Sequence, residues 1–191
     1  MSATHSKLIM IRGLPGSGKS YLTTALSKAL GEQNVVVLDP DATDYKSPEY
    51  LELSRALTEE GVEEKFHPHR FIRGKAFKAI DDGKIIIWNQ PFSNLGGFQR
   101  TIASLQEHAA ERGLDEIPML VVEVEAPLEV AKNRVVERKA NGGHGPTDNG
   151  FARFVDDYKT FADEGYNIIT VQGHGEATVA VTAIRTALDK L

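Results

Sequence analysis

The chain contains no cysteine. That rules out disulfide staples, thiolate metal centres and cysteine nucleophiles, and leaves carboxylates, hydroxyls, Lys, Arg and His for any chemistry. Long apolar runs are missing too. The first apolar stretch, Leu8 to Ile11, is far too short for a membrane helix or a secretion signal and leads directly into glycines. A cytoplasmic protein with no membrane association is therefore expected. Positive charge is also scarce overall: the net charge is −5, so general attraction to nucleic acid is not expected. Internal repeats and low-complexity linkers are absent. What remains is 191 residues with 41% hydrophobic and 26% charged content, the balance of an ordinary globular chain of one domain, 1–191.

Short apolar runs alternate with longer amphipathic ones. Lys7–Arg12, Asn34–Asp39, Lys84–Trp88, Pro118–Val124 and Tyr166–Val171 are β-branched-rich and nearly continuous in apolar character, as parallel strands covered on both faces are. Helical patterns fill the intervals: Gly18–Leu30, Pro48–Glu60, His67–Asp82, Asn94–Arg112, Leu128–Lys139, Gly150–Glu164 and Glu176–Lys190. Gly31, Gly83, Gly113 and Gly165 fall just past helical stretches, where left-handed caps belong. Alternation of this kind predicts a doubly wound α/β sheet of five parallel strands, with ligands at the carboxyl ends of the strands. The turn-rich stretch Ala140–Asn149 is either a plain surface loop or part of a small lid, about 139–153. His144 is a further candidate for that lid.

Gly13-Leu14-Pro15-Gly16-Ser17-Gly18-Lys19-Ser20 matches G-x-x-x-x-G-K-[ST] at the junction of the first strand and first helix. Glycines there let successive backbone N–H groups converge on phosphate oxygens, and the helix N-terminus adds positive potential. Lys19 is expected to bridge β- and γ-phosphates, and Ser20 to ligate Mg²⁺. The expected nucleotide contacts are Gly13, Pro15, Gly16, Ser17, Gly18, Lys19 and Ser20, with ATP and Mg²⁺ as cofactors.

Strand two ends in Asp39-Pro40-Asp41, on the same sheet edge as this loop. Phosphoryl transfer to an alcohol needs a group that orients the hydroxyl and takes its proton, and oxygen ligands for the cation. Asp41 is the candidate base. Asp39 is the candidate metal helper, and stands close enough in sequence to exchange roles with it. The competing reading is a simple Asp-Pro turn. Arg134 and Arg138 share one helix face just before the candidate lid, where guanidinium groups stack on a purine or clamp phosphate oxygens; a solvated face is the alternative. Lys65–Lys78 carries five fixed positive charges and no acid, so Arg70 and Arg73 are either an anionic acceptor's grip or a basic helix surface. Asn89 and Gln90 follow strand three and are candidates to touch acceptor or phosphate. No Asp ends that strand, which argues against an ATPase motor.

With its Gly13–Ser20 loop, the Asp39-x-Asp41 pair followed by Ser47-Pro48, and the Arg134/Arg138 helix before a lid, the chain resembles the P-loop kinases that include zeta toxins and polynucleotide 5′-hydroxyl kinases. The resemblance implies strand order 2-3-1-4-5, phosphate contact by Lys19, base catalysis by Asp41, and stabilisation of transferring charge by Arg138 with Arg134. Zeta toxins phosphorylate a nucleotide-sugar hydroxyl. The Arg134-x-x-x-Arg138 and Gly142-Gly143-His144 stretch also resembles gluconate-type kinases. The expected activity is transfer of the γ-phosphate of ATP to a hydroxyl on a small molecule or a nucleic-acid end. The alternatives are a P-loop ATPase or nucleotide switch, and a zeta-like toxin held by an antitoxin-like protein.

Overall fold

Residues 6–143 and 145–191 are described by a computed structural model, so His144 lies outside the described residues. Five strands form one sheet: β1 (Leu8–Arg12), β2 (Val35–Leu38), β3 (Ile85–Asn89), β4 (Met119–Glu125) and β5 (Ile168–Gln172). All pair in parallel, in the order β2-β3-β1-β4-β5. The central strand β1 is buried along its whole length and aligns Met10 with Trp88 on one side and Val121 on the other. Its side chains alternate between two cores, as a two-residue period requires. Leu8 and Met10 join Ile72, Ile80, Phe98 and Leu105 in one; Ile9 and Ile11 join Leu22, Leu26 and Ile184 in the other. Strands covered on both faces have no polar side, which is why they read as unbroken apolar runs.

Seven α-helices are present among the described residues: α1 (Lys19–Leu30), α2 (Pro48–Glu59), α3 (His67–Asp81), α4 (Leu95–Glu111), α5 (Leu128–Ala140), α6 (Asp148–Asp157) and α7 (Ala177–Leu188). Helices α3 and α4 cover the first core, α1 and α7 the second. A small third cluster, Ala131, Val135 and Phe151, joins α5 to α6. Local chemistry sets several starts. Ser47 accepts from the Tyr50 amide with Pro48 in the first turn, and Asn94 accepts from the Gly97 amide at 2.7 Å. None of the helices is long and apolar enough to cross a membrane among the described residues.

One boundary differs from the sequence reading. The last helix before β5 was expected over Gly150–Glu164, but α6 runs from Asp148 to Asp157 and only a short 3₁₀ turn, Ala162–Glu164, follows. Thr147 caps the helix early by accepting from the Gly150 amide. The early stop has a tertiary cause: residues 158–161 leave the helix to close over a buried ion pair between Arg12 and Glu123.

Strand order reverses about β1, which lies between β3 and β4. In an open parallel sheet that reversal leaves a crevice beyond the carboxyl ends of the strands. The loops that leave β1, β2 and β3 all open into it.

Candidate active site

A cleft of about 830 Å³ lies at that edge, lined by the Pro15–Ser20 region, Asp39, Asp41, Asn89, Arg134 and Arg138 among others. The Gly13–Ser20 loop forms its floor. Gly16 has φ of +80° and Gly18 of +105°, both in the left-handed region. Space is as restrictive as the dihedral angle: a Cβ on Gly16 would strike the carbonyl of Ala131, and one on Gly18 the carbonyl of Gly173. The loop is thus wedged between α5 and the turn after β5. Arg134 tightens the wedge, its Nη1 donating to the Gly16 carbonyl at 3.2 Å and the Gly173 carbonyl at 3.0 Å.

Lys19 opens α1, and its Nζ donates to the carbonyls of Gly13 and Leu14, both at 2.9 Å. Burial pulls the ammonium pKa down to about 8; the carboxylates of Asp41 and Asp39 oppose that shift, and the charge of Arg138 adds to it. Arg138 is exposed on the last turn of α5, and the Gly143 amide donates to its carbonyl at 2.8 Å.

Across the cleft, one amide joins three elements. Asn89, 4% exposed at the end of β3, donates from Nδ2 to Asp39 Oδ2 at 2.7 Å and to Ser20 Oγ at 3.3 Å. The other Asp39 oxygen accepts from the Asp41 and Ala42 amides, an Asx turn that fixes the chain after β2. Asp41 stands beyond that turn, exposed, with its carboxylate free of hydrogen bonds and ion pairs among the described residues. Ser20 and Asp39 offer hydroxyl and carboxylate oxygens within one hydrogen-bonded chain, a donor set that fits a hard divalent cation such as Mg²⁺.

Of the other expected residues, Pro15, Asn89 and Arg134 line the cleft and Ser17 is buried beneath it. Gln90 turns away: its Oε1 accepts from the Trp88 indole at 3.0 Å. Arg70 and Arg73 are outside the cleft lining, on the first turns of α3. Partial burial and the charge of Arg70 both lower the pKa of Arg73.

The sequence reading missed Arg12 and Glu123. Arg12 is fully buried, and Glu123 is 3% exposed. Only their placement hinted at them, as a cation and an acid inside otherwise apolar strand runs.

The family model AAA_33, described as an AAA domain, matches residues 8–159, well over half the chain. The chain belongs to this family. The matched span takes in β1 through α6 and stops ahead of β5. No curated protein matches the chain by sequence. Solved structures do match this AAA_33 member. A protein from Chloroflexus aurantiacus J-10-fl is 17% identical over 96% of this chain and 98% of its own, with a TM-score of 0.69. The APS kinase CysC of Mycobacterium tuberculosis, solved with AMPPNP and APS, is 17% identical over 97% and 98%, with a TM-score of 0.58. A gluconokinase from Sinorhizobium meliloti 1021 is 14% identical over 96% and 92%, with a TM-score of 0.57. At such identities the likeness is one of fold, and the fold is that of P-loop kinases.

Proposed function

We propose that this protein is an ATP-dependent kinase that transfers the γ-phosphate of ATP to a hydroxyl, working as one domain over 1–191 with a lid at about 139–153. One observation carries the reading: an unengaged carboxylate, Asp41, shares a single cleft with Lys19 and Arg138 at the mouth of the phosphate loop. A carboxylate free of partners there suits an alcohol nucleophile, which must be oriented and relieved of its proton.

In this reading the loop amides from Gly13 to Ser20 cradle the polyphosphate. Lys19 exchanges its two loop carbonyls for β- and γ-phosphate oxygens. Asp41 holds the acceptor hydroxyl and takes its proton, while Arg138 faces charge that develops on the transferring group. Ser20 and Asp39 would hold Mg²⁺, with Asn89 keeping the two in register, and the cation supplies charge neutralisation at the phosphates. Arg134 serves through the loop carbonyls that it holds, and from its place in the cleft lining would meet the base end of the nucleotide. Closure of the lid excludes water, which otherwise competes with the acceptor.

The acceptor belongs to the class with an anionic part: a nucleic-acid 5′ end, a nucleotide sugar, or a phosphorylated or carboxylated metabolite. Arg70 and Arg73 support this, since neither has a carboxylate partner among the described residues, whereas Lys65, Lys75 and Lys78 of the same basic stretch are paired with Glu63, Glu49 and Asp82. The test is a screen with γ-labelled ATP across nucleic-acid 5′ ends, nucleotide sugars, sugar acids and phosphorylated metabolites. Label in one class, with ATP turnover raised by that acceptor, is the expected result. Steady ATP hydrolysis that no acceptor alters, with no labelled product, would replace the kinase by a nucleotide-driven switch.

A further inference from the structure

Arg12 precedes the first glycine of the phosphate loop, at the end of the central strand. Its guanidinium ties together four stretches of chain that are distant in sequence. Nη1 pairs with Glu123 Oε1 on β4. Nη2 donates to the Phe92 carbonyl at 3.1 Å, in the loop after β3, and to the Lys159 carbonyl at 2.7 Å, beyond α6. The rings of Phe161 and Tyr158 cover it, with centroids 3.5 and 4.2 Å from Cζ. Glu123 repeats the pattern, accepting from the Phe161 amide at 2.8 Å and the Thr160 hydroxyl at 2.7 Å.

Stability alone accounts poorly for such a pair, because apolar replacements of a buried ion pair are often as stable or more so. Two further features set a cost against it. The Nε of Arg12 is buried without a partner, as is the Tyr158 hydroxyl. Phe92 holds φ of +48°, the one positive value outside glycine among the described residues, at the carbonyl that Arg12 binds.

What the pair does achieve is registration of the cleft walls. Pro91 lines the cleft next to Phe92; Phe154 lines it from α6, one turn before Tyr158; Gly13 begins the loop. We propose that Arg12 is a positioning residue for phosphoryl transfer. It fixes the Pro91–Phe92 wall and the root of the lid helix α6 against the strand that enters the phosphate loop, so that closure of the lid moves about one rigid hub. A lysine cannot take its place, since only a planar guanidinium reaches a carboxylate and two carbonyls at once while stacking on rings. The inference rests on the kinase reading and names a residue that touches neither nucleotide nor acceptor.

The decisive variant removes both charges together, Arg12→Met with Glu123→Leu, so that no unpaired buried charge remains. Three quantities are compared with the wild type: affinity for Mg·AMPPNP by calorimetry, ATP turnover, and hydrogen exchange over 148–161 with and without Mg·AMPPNP. The expected result is nucleotide affinity within about threefold of wild type with turnover lowered about tenfold to 100-fold, the scale of a small misplacement of reacting groups. Nucleotide-induced protection of 148–161 should also be lost. Wild-type turnover and protection in the double variant would overturn the proposal and leave the pair a structural element only. Should that variant fail to fold, Thr160→Val removes one surface hydroxyl from Glu123. It should speed exchange over 158–161 and lower turnover about threefold with unchanged nucleotide affinity, roughly the effect of one lost hydrogen bond. Unchanged turnover in that variant overturns the proposal equally. Wild-type protein that does not bind Mg·AMPPNP would instead bring down the kinase reading itself, and this inference with it.

Discussion

In the kinase reading proposed above, the nucleotide side and the acceptor side of the cleft are built by different means. On the first, Gly16 and Gly18 press against the carbonyls of Ala131 and Gly173, Arg134 bridges the carbonyls of Gly16 and Gly173, and Lys19 is already in place at 2.9 Å from two loop carbonyls. On the second, Asp41 stands exposed after a four-residue edge strand in which Val37 is 42% exposed, and Arg70 and Arg73 lie outside the cleft lining. A polyphosphate is the same in every ATP and rewards a rigid cradle; an acceptor varies, and in this reading its half of the cleft is lined by the loop that carries Asp41 and Ala42. The contrast predicts that changes to the wedged loop backbone on the nucleotide side damage binding and fold together, while changes on the acceptor side damage transfer alone.

The strongest way to break that contrast is at Gly16. Gly16→Ala places a methyl group against the Ala131 carbonyl at a φ that alanine tolerates poorly. It should cost about 1–3 kcal/mol of stability and lower nucleotide affinity by about 100-fold, or ~3 kcal/mol. Both are read by thermal unfolding and calorimetry with AMPPNP. Normal affinity in this variant would mean that the loop is not the cradle. Lys19→Ala should abolish turnover with the fold intact.

Asp41→Asn tests the other side. Turnover with the acceptor should fall by about 10² to 10⁴ while the affinity for ATP stays unchanged. Unaltered transfer would move the base assignment to Asp39. Arg138→Ala should lower kcat more than it raises the KM for ATP, and equal effects on both would count against a role in the transition state.

The pH dependence sharpens the comparison from the nucleotide side. Lys19 titrates near 8 in the folded protein against 10.5 unfolded, chiefly because it is buried. Between those values the unfolded chain holds a proton that the folded one lacks, so this group makes the free protein more stable as pH rises through the window. Bound phosphate favours the ammonium. Nucleotide binding should therefore take up a proton above pH 8, and affinity should fall as pH rises from 8 to 10, by at most about tenfold per unit. Calorimetry in two buffers of different ionisation enthalpy measures the uptake; none between pH 8 and 9 would show that Lys19 does not meet the phosphates.

The same contrast governs what was legible in the sequence. All five strands and their parallel arrangement were visible, because a strand buried on both faces leaves an unbroken apolar run such as Leu8–Ile11. The phosphate loop was visible because its chemistry is local: glycines, lysine and serine at fixed spacing. Long-range polar contacts left no such trace. Nothing local says that Asn89 joins Asp39 to Ser20 across 50 and 69 residues. The end of α6 at Asp157 depends on Glu123, 34 or more residues earlier in the chain, so the helical pattern of Gly150–Glu164 was overruled by a contact that periodicity cannot encode.

The smallest expected effect lies at the edge of the acceptor side. Arg70 and Arg73 begin the helix that leads into β3, and since α3 runs antiparallel to the strands, its first turns lie at the sheet's carboxyl edge with the cleft. Tyr45, whose hydroxyl donates to the Pro40 carbonyl, packs edge-to-face with Tyr50, which packs edge-to-face with Phe71, so a run of rings links the Asp41 loop to this turn of α3. Because the arginines line no part of the cleft itself, they can meet only a distal group of the acceptor. Arg70→Ala and Arg73→Ala should each raise the acceptor KM about threefold to tenfold, the loss of one charge-assisted contact near solvent, and leave kcat and the ATP KM unchanged. The effect should shrink as salt is raised, since these charges are screened. An acceptor KM that neither variant moves, measured at low ionic strength with the acceptor found by the screen, would assign the basic face of α3 to solvent and confine recognition to the cleft.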